Sequence, residues 1–171
     1  VAQMETNFFG AVRMINALLP HMRTQGRGKI VNIGSVGGLL GLPYNSAYAA
    51  SKFALVGYSE SLRFELRPFG IYVVLVEPEA VATDTLDTSI RSAAAHHPAY
   101  AERSKTMLDQ MRMMGRDSRV TPGMVAQTIV HVVADSDPKL RYPVGRLAHS
   151  VPWLKLMPQR WLERFMLRQF G

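Results

Sequence analysis

Residues 71 to 78, IYVVLVEP, constrain the fold more than any other stretch of this chain. Their apolar side chains follow one another without alternation. A strand with one wet face alternates apolar and polar residues. An unbroken β-branched run has the character of a strand buried on both faces, inside a parallel sheet covered by helices. The flanking sequence agrees. Residues 4 to 24 carry Phe8, Val12, Ile15, Leu18 and Leu19 at three- and four-residue steps and predict an amphipathic helix, closed by RTQGRG. KIVNIGS is a short buried strand, VGGLLGLPYN a Gly/Pro-rich loop, and residues 45 to 67 a long helix capped by Asn45 or Ser46 and stopped by RPFG. EAVATDT is a loop after the strand at 71 to 78.

Beyond it the pattern loosens. Residues 86 to 118 predict two short helices broken near HHP. Thr121-Pro122 starts a helix to about Ala134, and a third, weaker strand is expected over 141 to 148. The tail from Pro158 reads as a short helix, and the chain has no internal repeat. Helix, strand, helix, strand, helix, strand implies an α/β fold with parallel strands joined by right-handed crossovers, a doubly wound sheet. Ligands of such sheets sit beyond the carboxyl ends of the strands, where Ser35, Pro78 and Thr83 fall.

The 171 residues suit a single domain, 1 to 171. No apolar run reaches the roughly 18 residues of a membrane span. Cysteine is absent, which removes disulfides and thiolate–metal sites and fits a cytoplasmic protein. The histidines show no metal-ligand spacing, so no metal is expected. The net charge is +7 and the pI about 10.1, yet the basic residues are scattered and no nucleic-acid module is legible. Nucleic acid is therefore not the expected partner.

One constellation carries chemistry. In YNSAYAASKFAL, Tyr48 and Lys52 stand one helical turn apart, offset by about 40° and about 6 Å, so both can face one cleft. A tyrosine normally titrates near 10, and a neighbouring ammonium favours its phenolate. Such a phenol can exchange a proton with a substrate oxygen. Ser35, thirteen residues upstream at a strand end, can hydrogen-bond the same oxygen. Donors converging on one oxygen suit a carbonyl–alcohol interconversion, with negative charge developing on that atom. The hydride must come from a cofactor, since no side chain supplies one.

In order and spacing, IVNIGSVGG, YNSAYAASKFALVGYSESLRFEL and GIYVVLVEPEAVAT resemble the central and C-terminal motifs of the short-chain dehydrogenases/reductases. The resemblance is strong over residues 4 to 84. GSVGGLLGLP and LRYPVG are most similar to the branch acting on steroids and retinoids. It implies Tyr48 as catalytic acid/base, Lys52 as the residue that lowers its pKa and binds the nicotinamide ribose, and Ser35 as the group that polarises the substrate oxygen. Asn7, in METNFFG, matches the asparagine that holds a water in the proton relay toward the lysine. Pro78, Val81 and Thr83 match the loop approaching the nicotinamide and phosphates. The implied cofactor is NAD or NADP, and the implied partners are a small hydrophobic alcohol or carbonyl substrate and a second copy of the chain, through the helices of Asn7 and Tyr48. The family usually has Pro-Gly where this chain has Pro78-Glu79, so the Glu79 side chain must turn away from a bound phosphate.

The family's N-terminal βαβ unit, with its Gly-rich turn for the pyrophosphate, has no counterpart here. The expectation is an incomplete Rossmann-like sheet, the C-terminal part of a longer enzyme, inactive by itself. A non-catalytic remnant serving as a dimerisation or binding module is the alternative. Residues 85 to 120 are expected to form a variable substrate lid, with Met107, Met111 and Met114 as core packing or as a pliant apolar cover. The tail, 150 to 171, mixes Trp153, Leu156, Trp161, Phe165, Met166 and Phe170 with Arg160, Arg164 and Arg168. It could lie on a membrane surface, cover the cleft or form a subunit contact.

Overall fold

A computed structural model describes residues 2–81 and 97–170. The elements are α1 (Ala2–Met4), a π turn (Glu5–Phe9), α2 (Gly10–Gln25), β1 (Gly28–Ile33), a 3-10 turn (Val36–Gly38), α3 (Ser46–Leu66), a second 3-10 turn (Arg67–Phe69), β2 (Ile71–Pro78), α4 (Pro98–Arg116), α5 (Pro122–Ala134), β3 (Arg141–Val144), α6 (Arg146–Leu154) and α7 (Gln159–Phe170). The strands form one parallel sheet in the order β1-β2-β3. Gly28 pairs with Ile71 and Ile33 with Val76; Leu75 pairs with Arg141 and Pro78 with Val144.

The central place of β2 explains its composition. Ile71, Val73, Val74, Leu75 and Val76 are all fully buried. Side chains alternate across a strand, so Ile71 and Val73 face one way and Val76 the other. The first set packs with Ile15 and Leu19 of α2, Ile30 of β1, and Leu62 and Leu66 of α3. The second packs with Val120, Val144, Val125 and Ile129, beneath α5. The result is three layers, helices on both faces of a parallel sheet, as the apolar run requires.

Polar clamps bind the layers. The Arg141 guanidinium on β3 holds the Glu77 carboxylate of β2 and reaches Glu60 of α3 at 2.5 Å. Glu77 is 2% exposed, and burial pushes its carboxyl up while Arg141 pulls it back. Lys29 of β1 donates to the carbonyls of Val133 and Asp135, satisfying acceptors at the end of α5. Asn32 of β1 donates to the buried Ser59 of α3 at 2.8 Å.

Two sequence expectations are corrected and two are sharpened. The helix at 4 to 24 is broken by the π turn: the Gly10 N–H reaches back to Glu5 O, five residues away, and a Cβ on Gly10 would crowd that carbonyl at 3.2 Å. Asn45 is the N-cap of α3 but makes no side-chain cap bond. Of the two short helices expected around HHP, the later is α4, which runs unbroken from Pro98 to Arg116. His97 caps it by accepting from Ala99 N–H at 3.3 Å, so HHP marks a start. The earlier of those two helices lies outside the described residues. Finally, β3 spans only Arg141–Val144, because Gly145 turns at φ 104° into α6. Met107 of the methionine stripe is buried and Met114 is exposed.

Candidate active site

The site is built at the carboxyl ends of β1 and β2. The Gly34 N–H donates to Val76 O at 2.8 Å, holding the backbone to β2 one residue beyond β1. Ser35 then caps the 3-10 turn, its Oγ accepting from Gly37 N–H at 3.1 Å. That turn lies directly on α3. A Cβ on Gly37 would stand 2.9 Å from Tyr48 Cε1, and one on Gly38 3.0 Å from Lys52 O. Bare backbone at these two positions is what lets the Ser35 loop settle against Tyr48.

With its oxygen accepting from Gly37, the Ser35 hydroxyl keeps its own proton to donate. Its nearness to the Tyr48 phenol favours ionisation of the ring. Burial is the larger influence, and it raises the phenol above its ordinary value. Burial also holds the Lys52 ammonium below its ordinary range. Lys52 Nζ donates to Ile33 O at 2.8 Å, at the end of β1, and stands 5.9 Å from the centre of the Tyr48 ring. The expected downward pull of Lys52 on Tyr48 is thus not the governing effect. Burial sets the direction, and Ser35 supplies the offset.

Asn7 sits within the π turn, and its Nδ2 donates to Ser51 Oγ at 3.0 Å. Ser51, fully buried, donates in turn to Tyr48 O at 2.7 Å. Asn7 is therefore joined to the Tyr48 backbone through a residue that sequence reasoning passed over. Its signal was a hydroxyl three residues after Tyr48 on a helix otherwise floored with alanine. Pro78 closes β2 in register with Val144, and Val81 packs with Val76, Val120 and Val144. Thr83 lies outside the described residues.

Glu79 has a role its sequence position hid. Its Oε2 accepts from Leu147 N–H at 2.7 Å, and its own N–H donates to Val144 O at 3.0 Å. The residue before α6 is Gly145, which has no side chain to cap the helix. Glu79 supplies that cap from across the sheet and fills the space a Cβ on Gly145 would occupy. The side chain does turn toward the protein, as the Pro-Gly departure requires. No group of acidic, histidine or cysteine side chains able to hold a metal occurs among the described residues.

The sequence profile described as short chain dehydrogenase matches residues 2–94. The chain belongs to the short-chain dehydrogenase family. Among curated proteins, it is 41% identical over 160 residues to 3-ketodihydrosphingosine reductase of Bacteroides thetaiotaomicron, covering 89% of this chain and 58% of the relative. It is 39% identical over 143 residues to human retinol dehydrogenase 8, covering 80% of this chain and 46% of the relative. Among solved structures, a short-chain dehydrogenase from Streptomyces avermitilis superposes with a TM-score of 0.73 at 36% identity, covering 90% of this chain and 55% of that one. A family member from Burkholderia phymatum in complex with NAD gives a TM-score of 0.69 at 25% identity, covering 89% and 54%. The chain thus spans about half the length of the relatives it matches, and its three-stranded sheet is part of their Rossmann fold.

Proposed function

We propose that this chain carries the proton-transfer half of an NAD(P)-dependent oxidoreductase that interconverts an alcohol and a carbonyl on a hydrophobic substrate. The observation that carries the reading is the packing of the Ser35 loop, through Gly37, against the Tyr48 ring, with Lys52 one turn away. A buried phenol held above its ordinary pKa is protonated at neutral pH. It is therefore a proton donor to an oxygen that gains negative charge, which is the task in carbonyl reduction. Ser35 donates to the same oxygen and stabilises that charge. Pro78 and Val81 stand at the carboxyl end of β2, and the reading assigns them, with Thr83, to the cofactor contacts.

The site fits a nicotinamide cofactor. Lys52 is an ammonium with three N–H donors, and Ile33 O is the acceptor it has among the described residues. Its remaining donors suit ribose hydroxyls. NAD or NADP would supply the hydride when bound. Asn7, anchored by Ser51, would hold a water that returns a proton toward Lys52. The names of the relatives, a ketosphingoid reductase and a retinol dehydrogenase, support a long apolar alcohol or ketone as substrate. Exposed Met14, Leu18 and Phe64 on α2 and α3 support pairing of two copies through these helices.

No Gly-rich strand-to-helix turn that would cradle the dinucleotide phosphates occurs among the described residues. We therefore expect the chain alone to be inert toward NADH or NADPH and a hydrophobic ketone. Fused behind the dinucleotide-binding half of the Bacteroides relative, it should oxidise the reduced cofactor. Tyr48→Phe in that fusion should remove nearly all turnover while leaving the circular dichroism unchanged. Turnover within a few-fold of the parent would refute the role given to Tyr48.

A further inference from the structure

The C-terminal helix is dressed for a surface that the chain itself does not provide. Along α7, Leu162 is buried and Met166 half-buried, so this stripe faces the protein. At about 100° per residue, Trp161 and Phe165 fall together on the adjoining stripe. Arg168, Arg164 and Arg160 follow round the helix on the next. Trp161 is 66% exposed, Phe165 46% and Leu167 62%, and just before the helix Trp153 and Leu156 are 73% and 75% exposed. These are among the most exposed large apolar side chains described, and they are neighbours in the chain. Over residues 150–171, Lys155, Arg160, Arg164 and Arg168 stand against the single acid Glu163.

We propose that this tail is a docking surface for an anionic lipid bilayer. Charge complementarity argues for that occupant: a tail with four basic residues and one acid, on a chain of net charge +7, is drawn to a negative leaflet. The side-chain types agree. Tryptophan and arginine partition to the headgroup layer, with the indole in the acyl boundary and the guanidinium on phosphate or carboxylate groups. A nucleic acid would use the arginines and stack on the rings, but it leaves the exposed Leu156 without a partner. A bilayer takes up Leu156 together with the rings. α7 has a polar helix's composition with an apolar flank, so it lies in the interface and does not span it; no helix among the described residues is long and apolar enough to cross a membrane. Lys155 also stacks its ammonium 5.5 Å over the ring of Phe53, on α3 beside Lys52, which fixes the start of the tail to the active-site helix. The docking surface stands independently of the role given to Tyr48.

The chain's only two tryptophans, Trp153 and Trp161, both lie in this tail, so its intrinsic fluorescence reports on the tail alone. The 171-residue chain is titrated with vesicles of phosphatidylcholine, with and without phosphatidylserine, at low and high salt. We expect a blue shift and co-sedimentation with phosphatidylserine vesicles, weakened by salt. Arg164→Gln with Arg168→Gln should weaken partitioning by about thirtyfold. Phe165→Ser should reduce the blue shift, and the far-ultraviolet circular dichroism of both variants should match the parent. No shift with either lipid would overturn the proposal. So would equal binding to neutral vesicles with the arginine variant unaffected. A shift that grows with protein concentration in the absence of lipid would assign the surface to a second copy. Tighter binding to a single-stranded oligonucleotide than to the anionic vesicles would assign it to nucleic acid. Either result overturns the bilayer.

Discussion

The Glu79 carboxylate accepts the Leu147 backbone N–H at 2.7 Å, so the loop after β2 caps a helix that begins 67 residues after it. The loop at the proposed cofactor site and the C-terminal segment are thereby one mechanical unit. Glu79→Gly, which restores the family's usual residue, should lower stability by about 1 kcal/mol, the typical effect of losing a cap. Glu79→Gln, which keeps an oxygen at that point, should lose less. Urea midpoints of the two variants check the order. Equal midpoints would mean that the carboxylate contributes nothing to α6.

Tyr48 should titrate above its ordinary value of 10.0, and Ser35→Ala should raise it further. Burial disfavours the phenolate, and the Ser35 hydroxyl is the group that relieves this. Carbon-13 labelling of tyrosine Cζ follows each ring through its titration. A downward move on Ser35→Ala would show that Ser35 does not donate to the phenol. In a catalytically complete fusion, the same substitution should shift the alkaline limb of the rate profile to higher pH.

Glu77 gives a pH dependence of opposite sense to that of most surface carboxylates. Burial raises its folded-state pKa above the unfolded value, so the folded chain binds more protons in the interval between the two. Stability contributed by the protonated form is present below the unfolded pKa and is lost as pH rises through the folded one. Unfolding measured across that acid window should therefore show a downward component with rising pH, and Glu77→Gln should remove it. Arg141→Met should be far more damaging. It strands a buried carboxylate, at a cost of about 3–5 kcal/mol. If Arg141→Met cost no more than an exposed ion pair does, the clamp between β2, β3 and α3 would have no structural weight.

Asn7 and Ser51 should behave as a coupled pair. Each hydrogen bond contributes about 1 kcal/mol, and the double variant Asn7→Ala with Ser51→Ala should cost less than the two single variants added. A double-mutant cycle on urea midpoints reads this directly. Strict additivity would separate the π turn from the Tyr48 backbone.

The parts of this fold that could be read from sequence are those with a single strong determinant. β2 was legible because a strand buried on both faces needs no partner to reveal it. The nearness of Tyr48, Lys52 and the Ser35 loop was legible because helical spacing fixes the first two and a strand end places the third. Glu79 was not, since its partner Leu147 is distant in the chain and the capped helix starts at a glycine. β3 was overrun because GRLAHSVPWL continues its apolar character and Pro152 argues against a helix. Yet Pro152 lies inside α6 in the structure, and the φ of Gly145, invisible in sequence, ends the strand. The π turn was hidden for a similar reason: its five-residue hydrogen bond leaves the apolar spacing of α2 intact.

The approach of Gly37 to the Tyr48 ring has a bearing on how variants of this chain are read. A methyl at residue 37 would arrive 2.9 Å from Cε1. The ring would have to rotate or the serine loop lift away, and either motion separates the two hydroxyls. Adding one carbon at residue 37 and deleting one oxygen at residue 48 are opposite edits, yet they converge on one phenotype. A mutational scan scored by turnover alone would place Gly37 among the reacting groups. The same scan scored by protein abundance would return it to the scaffold, and the gap between the two scores measures how closely empty space is specified at this site.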